Sequence, residues 1–132
     1  MKIKRRKNSK GQSLVETALV LPILLLILAS IIDFGIMFNN YLLIGNAARE
    51  GARSAAIGST DAQITAKVNQ VAAVLDSTKL TVVISPNGTT GRTSGNPVTV
   101  TVKYTYSMIT PVIADIVPGP FQLKAASTMR CE

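Results

Sequence analysis

Between Glu16 and Asp33 stand sixteen residues without a charge, TALVLPILLLILASII, and the apolar character continues as FGIMF to Phe38. A helix needs about 20 predominantly apolar residues to cross a hydrocarbon core, so the uncharged run alone falls short. The stretch 14–38 is long enough if the carboxylates of Glu16 and Asp33 are tolerated. A secretory signal peptide also has a basic start and an apolar middle. Here no clear small-x-small cleavage site closes the run, and the pattern flows through Asn39, Asn40 and Tyr41 into another helical stretch, so a membrane helix is the favoured reading. Six of the fourteen cations, Lys2, Lys4, Arg5, Arg6, Lys7 and Lys10, precede Gly11 with no acid among them, and the rest of the chain is nearly neutral. By the positive-inside rule this tail places the N-terminus in the cytoplasm and the remainder outside.

The same charge distribution argues against nucleic acid as a partner, because phosphate recognition needs cations spread over a folded face. A chain of 132 residues with no His and one Cys also excludes His metal sites, His-based triads, Cys-x-x-Cys chemistry and an internal disulfide. No cofactor, no small-molecule substrate and no enzymatic activity is expected. Cys131, near the end, is as consistent with a buried thiol as with an intermolecular bridge, and no role is assigned to it.

From Tyr41 to Ile57 the chain is Ala-rich and free of proline, which predicts that the membrane helix runs on beyond the bilayer. Small residues at Ala47, Gly51, Ala55 and at Ala48, Ala52, Ala56 form two strips on one face, suited to close packing on this chain's own sheet or between subunits. Gly58 suits a left-handed helix end, and Thr60 with Gln63 forms a capping-box pattern opening a second helix over 61–75. Ile64, Val68, Val71, Ala72 and Leu75 are its buried stripe, with Asp61, Lys67 and Asn69 left to water.

The run 80–85, LTVVIS, reads as a short strand, and PNGTTGRTSGNP after it reads as a hairpin loop. Asn87-Gly88-Thr89 matches a glycosylation acceptor, but Asn-Gly is also a common turn pair, and the turn is preferred. Strict alternation from Val98 to Tyr106 predicts a strand with one wet face. A loop with Pro111, Pro118 and Pro120 follows, and Phe121, Leu123, Ala125 and Ser127 alternate again. The expected architecture is α+β and pilin-like. A long N-terminal transmembrane helix extends into a small domain with a second helix and a roughly three-stranded antiparallel sheet. The corresponding division is a basic cytoplasmic leader at 1–11, a transmembrane helix at 12–38, its extension at 39–58 and a small extracytoplasmic domain at 59–132.

The junction Lys10-Gly11-Gln12-Ser13-Leu14-Val15-Glu16 carries the functional signal. Glycine has no Cβ and little helix preference, so at a membrane surface it can enter a protease site in extended form. Cutting after Gly11 would leave Gln12 with a new α-amine, one helical turn from Glu16, and lipid favours pairing of those opposite charges. Pairing between neighbouring subunits would set their stagger.

The run from Gly11 to Pro22 (GQSLVETALVLP), Asp33-Phe34-Gly35, and Asn46 to Arg53 (NAAREGAR) together resemble the TadE-like family, small pseudopilins of tight-adherence (Flp-type) pilus systems. The similarity is strong over about the first 57 residues and returns in the ending AASTMRCE. The resemblance implies processing by a prepilin peptidase between Gly11 and Gln12, with Glu16 fifth in the mature chain. It further implies a bacterial cytoplasmic-membrane location, other pilins or pseudopilins and pilus-assembly membrane proteins as partners beside the lipid bilayer, and possible incorporation in a pilus. Thr17 stands where major Flp pilins have Tyr, which fits a minor component.

Asp33 has two readings, a carboxylate near the outer interface or one paired with a cation or partner deeper in the bilayer. Pro22 removes a donor and crowds the carbonyl of Ala18, which predicts a helix kink. Arg49 and Arg53, one turn apart with Glu50 beside them, suit either a solvated face or contact with lipid phosphates or a neighbouring subunit's acids.

Overall fold

The computed structural model describes residues 9–132. The basic tail at 1–8 lies outside the described residues, as do the side chains of Ser9 and Lys10. The apolar run and the Ala-rich stretch form one 48-residue helix, α1 (Ser9–Ala56), which continues through Pro22. At its end Gly58 adopts φ +84°, and the amides of Gly58 and Ser59 donate to the carbonyls of Ala55 and Ser54. This pair of bonds is a Schellman closure, which requires the left-handed residue that glycine supplies without penalty.

The capping box is present in both directions. The Gln63 amide donates to Thr60 Oγ1 at 3.4 Å, and the Thr60 amide to Gln63 Oε1 at 3.0 Å. It opens α2 (Asp61–Val71), which is one turn shorter than the sequence predicts. The chain instead makes a turn in which the Leu75 amide donates to the Ala72 carbonyl, and this turn carries Leu75 back into the core while leaving Val74 outside. The apolar spacing up to Leu75 is real, but a turn satisfies it as well as a helix does.

Three antiparallel strands, β1 (Leu80–Ser85), β2 (Pro97–Tyr106) and β3 (Phe121–Arg130), stand in the order β1-β2-β3. Their register sets Val82 opposite Val102 and Val102 opposite Ala125, so the inner face carries the apolar alternation expected of it. Between β2 and β3 the sequence reading has only a loop; a short helix, α3 (Pro111–Ile116), forms there with Pro111 in its first turn. A proline at that position gives up an N–H that has no helical partner anyway, so it starts the helix as readily as it interrupts a loop.

The helices α1 and α2 pack on the inner face of the sheet. The small-residue strips of α1 lie against this chain's own domain: Ala47, Ala48, Ala52 and Ala55 are buried with Ile64 and Val68 of α2 and Val98, Val100 and Val102 of β2. At Gly51 side chains of α2 and β2 both press against α1. A methyl group there would lie 2.7 Å from Val68 Cγ2 and 3.0 Å from Val100 Cγ1.

Candidate functional site along the long helix

From Gly11 through the first third of α1 the side chains are exposed and pack on no other element among the described residues. From Gly11 through Leu28 every residue is exposed, including Leu14, Leu19, Ile23 and Ile27. The helix is long and apolar enough to span a membrane. A surface of that kind in water would be an aggregation site, so it requires lipid or other helices around it.

Gly11 and Gln12 lie inside α1 in helical conformation, with open space around the Gly11 Cα. Glu16 is exposed on the apolar surface with Val15, Leu19 and Val20 as neighbours, and Thr17 donates its hydroxyl to the Ser13 carbonyl at 2.9 Å. The helix brings Gln12 and Glu16 to one face, one turn apart.

Asp33 has partners that neither reading of the sequence named. Its residue is 2 % exposed, held against the domain. Oδ1 accepts the backbone N–H of Ile109 at 3.3 Å and Oδ2 that of Thr110 at 3.2 Å. The Tyr106 hydroxyl donates to the Asp33 carbonyl at 3.2 Å. Burial, and then the nearby Asp33 charge, push the Tyr106 phenol above its ordinary pKa. The carboxylate thus ties α1 to the turn that precedes α3, and its partner is backbone of its own chain. Spacing along the sequence carries no signal for that contact, because the two amides are more than seventy residues away.

Above Asp33 the two sides of α1 diverge. One side is the domain core; the other exposes Phe34, Phe38, Tyr41 and Leu42, an apolar stripe at helical spacing. It ends at Arg49, which with Asn46 and Gly45 of α1 and Lys124 and Ala126 of β3 lines a cleft of about 260 Å³. Arg49 and Arg53 are exposed and Glu50 is half-buried. The outer face of the sheet is cationic as well: Lys103 stands directly opposite Lys124 in the ladder, Arg130 lies on the same face, and the strands carry no acid there among the described residues.

At the far end of the domain a second polar cluster is absent from the sequence reading. Arg92, in the β1–β2 loop, is buried; its Nη1 donates to the Ser59 carbonyl at 2.7 Å, its Nη2 to Asp61 Oδ1, and its Nε to the Pro86 carbonyl at 3.4 Å. Asp61 Oδ2 accepts the Gly88 amide at 2.9 Å. The Gly88 N–H, followed by the Arg92 guanidinium, holds the Asp61 carboxyl below its ordinary pKa against the opposing effect of desolvation. Asp61 is therefore engaged by this loop, where the sequence left it to water. Gly88 has φ +75°, in keeping with the turn reading of Asn87-Gly88. Cys131 is a buried free thiol.

Residues 11–53 match the family model described as TadE-like protein, the family that the sequence resembles. No curated protein and no solved structure matches the chain.

Proposed function

On the premise of that TadE-like match, we propose that the chain is a minor pseudopilin-like membrane protein of a tight-adherence pilus assembly system. In this reading a prepilin peptidase cuts between Gly11 and Gln12, and the protein acts by assembly, without catalysis. The N-terminus is cytoplasmic and the domain stands outside the cytoplasmic membrane. Other pilins or pseudopilins and membrane proteins of the assembly machinery are its partners.

The observation that carries the proposal is the exposed Glu16 on the apolar, membrane-length part of α1, one turn from Gln12. A lone carboxylate inside a membrane helix is costly, less so near its end than the roughly 3 kcal/mol at its centre, and a neighbouring subunit's α-amine would offset that cost while fixing the axial stagger. The stripe Phe34, Phe38, Tyr41 and Leu42 extends the surface for helix packing beyond the level of Asp33. Arg49 and Arg53, exposed on the same side of the domain and about 24 and 30 Å along the helix from Asp33, suit acids of a neighbouring subunit.

The helical state of Gly11 and Gln12 favours a second reading, an unprocessed single-pass anchor for a surface or adaptor domain, since a protease takes its substrate extended. The N-terminus and intact mass of protein extracted from native membranes separate the two. Processing predicts a chain beginning at Gln12, blocked in Gly11→Val without loss of membrane insertion; normal maturation of that variant overturns the peptidase assignment. Glu16→Ala is expected to be processed and to incorporate poorly, and incorporation at the wild-type level removes the pairing role.

A further inference from the structure

The two ends of the domain differ in chemistry. The β1–β2 loop, residues 86–96 (PNGTTGRTSGN), contains no large apolar side chain. The β2–β3 connection at the opposite end, residues 107–120 (SMITPVIADIVPGP), contains one charge, Asp115, and six of Ile, Val and Met. Connections between strands run over the surface and are ordinarily polar. This one exposes Ile109 at 65 %, Val112 at 52 %, Ile116 at 64 % and Val117 at 42 %. Val112 and Ile116 are one turn apart on the outer side of α3, while Ile113 points into the domain.

The contact at Asp33 sets the level of this apolar end. Asp33 follows directly on the uncharged run, and its carboxylate holds the amides of Ile109 and Thr110, immediately before α3. From Gly11 to Asp33 the helix rises about 33 Å, which matches a hydrocarbon core of roughly 30 Å. A bilayer spanned by that part of α1 therefore has its outer surface where Ile109, Val112 and Ile116 are exposed. Phe34, exposed on another side of α1, stands at this level, and Phe38 follows one turn further out, where aromatic side chains are favoured.

We infer that the β2–β3 connection is a second membrane contact: α3 and its flanking residues insert their apolar side chains into the outer leaflet and seat the domain on the bilayer. The occupant of the exposed face is lipid, since the hydrogen bonds of Asp33 to Ile109 and Thr110 hold the face beside the outer end of the spanning run. With one charge in the segment, the contact is apolar and insensitive to salt. A helix in this position lies roughly 5–10 Å into the boundary between head groups and acyl chains. The inference rests on the placement of α1 in a bilayer.

The chain has no Trp, so a single introduced indole is a unique reporter. The full-length protein, carrying Val112→Trp or Ile116→Trp, is reconstituted at high dilution in phosphatidylcholine vesicles with and without bromines near the head-group end of the acyl chains. Ile27→Trp reports the spanning helix and Ser94→Trp the polar end. The expected result is a blue-shifted emission and loss of intensity with brominated lipid at positions 112 and 116, and water-like, unquenched emission at position 94. Quenching at position 27 with water-like emission at 112 and 116 overturns the inference and leaves the span intact. A blue shift at 112 without bromine quenching means that protein covers the face, which also overturns it. An unquenched indole at position 27 removes the span and the inference together.

Discussion

The Thr110 amide donates to Asp33 Oδ2 at 3.2 Å across 77 residues of chain. With the parallel bond from Ile109, it makes a carboxylate at the end of an apolar helix into the anchor of a distant strand connection. A charge so close to a membrane span is tolerable because two N–H groups of the same chain satisfy it.

Asp33→Ala leaves both amides without this acceptor and is expected to destabilise the domain by about 2 kcal/mol. Asp33→Asn, which keeps one acceptor oxygen, should fall between the variant and wild type. Denaturant unfolding of the full-length protein in detergent measures the loss, and amide exchange at residues 109 and 110 localises it. Unchanged exchange at those two amides would show that the carboxylate does not hold the turn.

Gly51 and Gly45 both lie in α1, yet substitution by alanine should act on them in opposite directions. At Gly45 nothing stands within 4 Å of a new methyl group, so Gly45→Ala is expected to gain about 1 kcal/mol from helix propensity. At Gly51 the methyl group meets Val68 Cγ2 at 2.7 Å, and the resulting overpacking, about 1–3 kcal/mol, outweighs that gain. Unfolding midpoints of the two variants that shift in the same direction would contradict the packing described.

Arg92→Met removes a buried guanidinium and all three of its donor contacts. The expected loss is about 2 kcal/mol, below that of a fully buried pair because the Asp61 side chain is 41 % exposed. The pH dependence has a definite sign. Asp61 has a folded pKa below its ordinary value of 3.8, so its contribution is present above that value and is lost as pH falls through the folded pKa. Asp61→Asn should therefore flatten the acid side of the stability profile, and an unaltered acid slope would exclude the linkage.

Lys103 and Lys124 face each other across β2 and β3, an arrangement that like charges oppose. Lys124→Glu is expected to raise stability by about 0.2–1 kcal/mol, with the gain shrinking as salt is added. A gain that is independent of salt would point to a cause other than this pair.

The long helix, the capping box at Thr60 and all three strands were legible in the sequence because each rests on local chemistry: hydropathy, a cap at fixed spacing, and alternation. What was not legible depends on pairs distant along the chain. Asp33 carried two readings, and its actual partners are backbone amides that have no residue signature. Arg92 stood in a loop recognisable only by its Gly, Pro and Asn content, and nothing in that composition marks a cation that will be buried against Asp61. The helix α3 was hidden by Pro111, which signals an interruption and a helix start equally well. Of the candidate site, the positions of Glu16, Gln12 and the arginines on α1 follow from helical periodicity alone.

The last turn of α1 is also tied to the domain, since the Glu132 amide donates to the Ala56 carbonyl at 3.0 Å. Asp33 and Ala56 are about 35 Å apart along the helix axis. The domain is thus fastened to the helix at two levels, and β3 lies between the two attachments along the chain. Two attachments so far apart leave the domain no single point about which to swing on its helix.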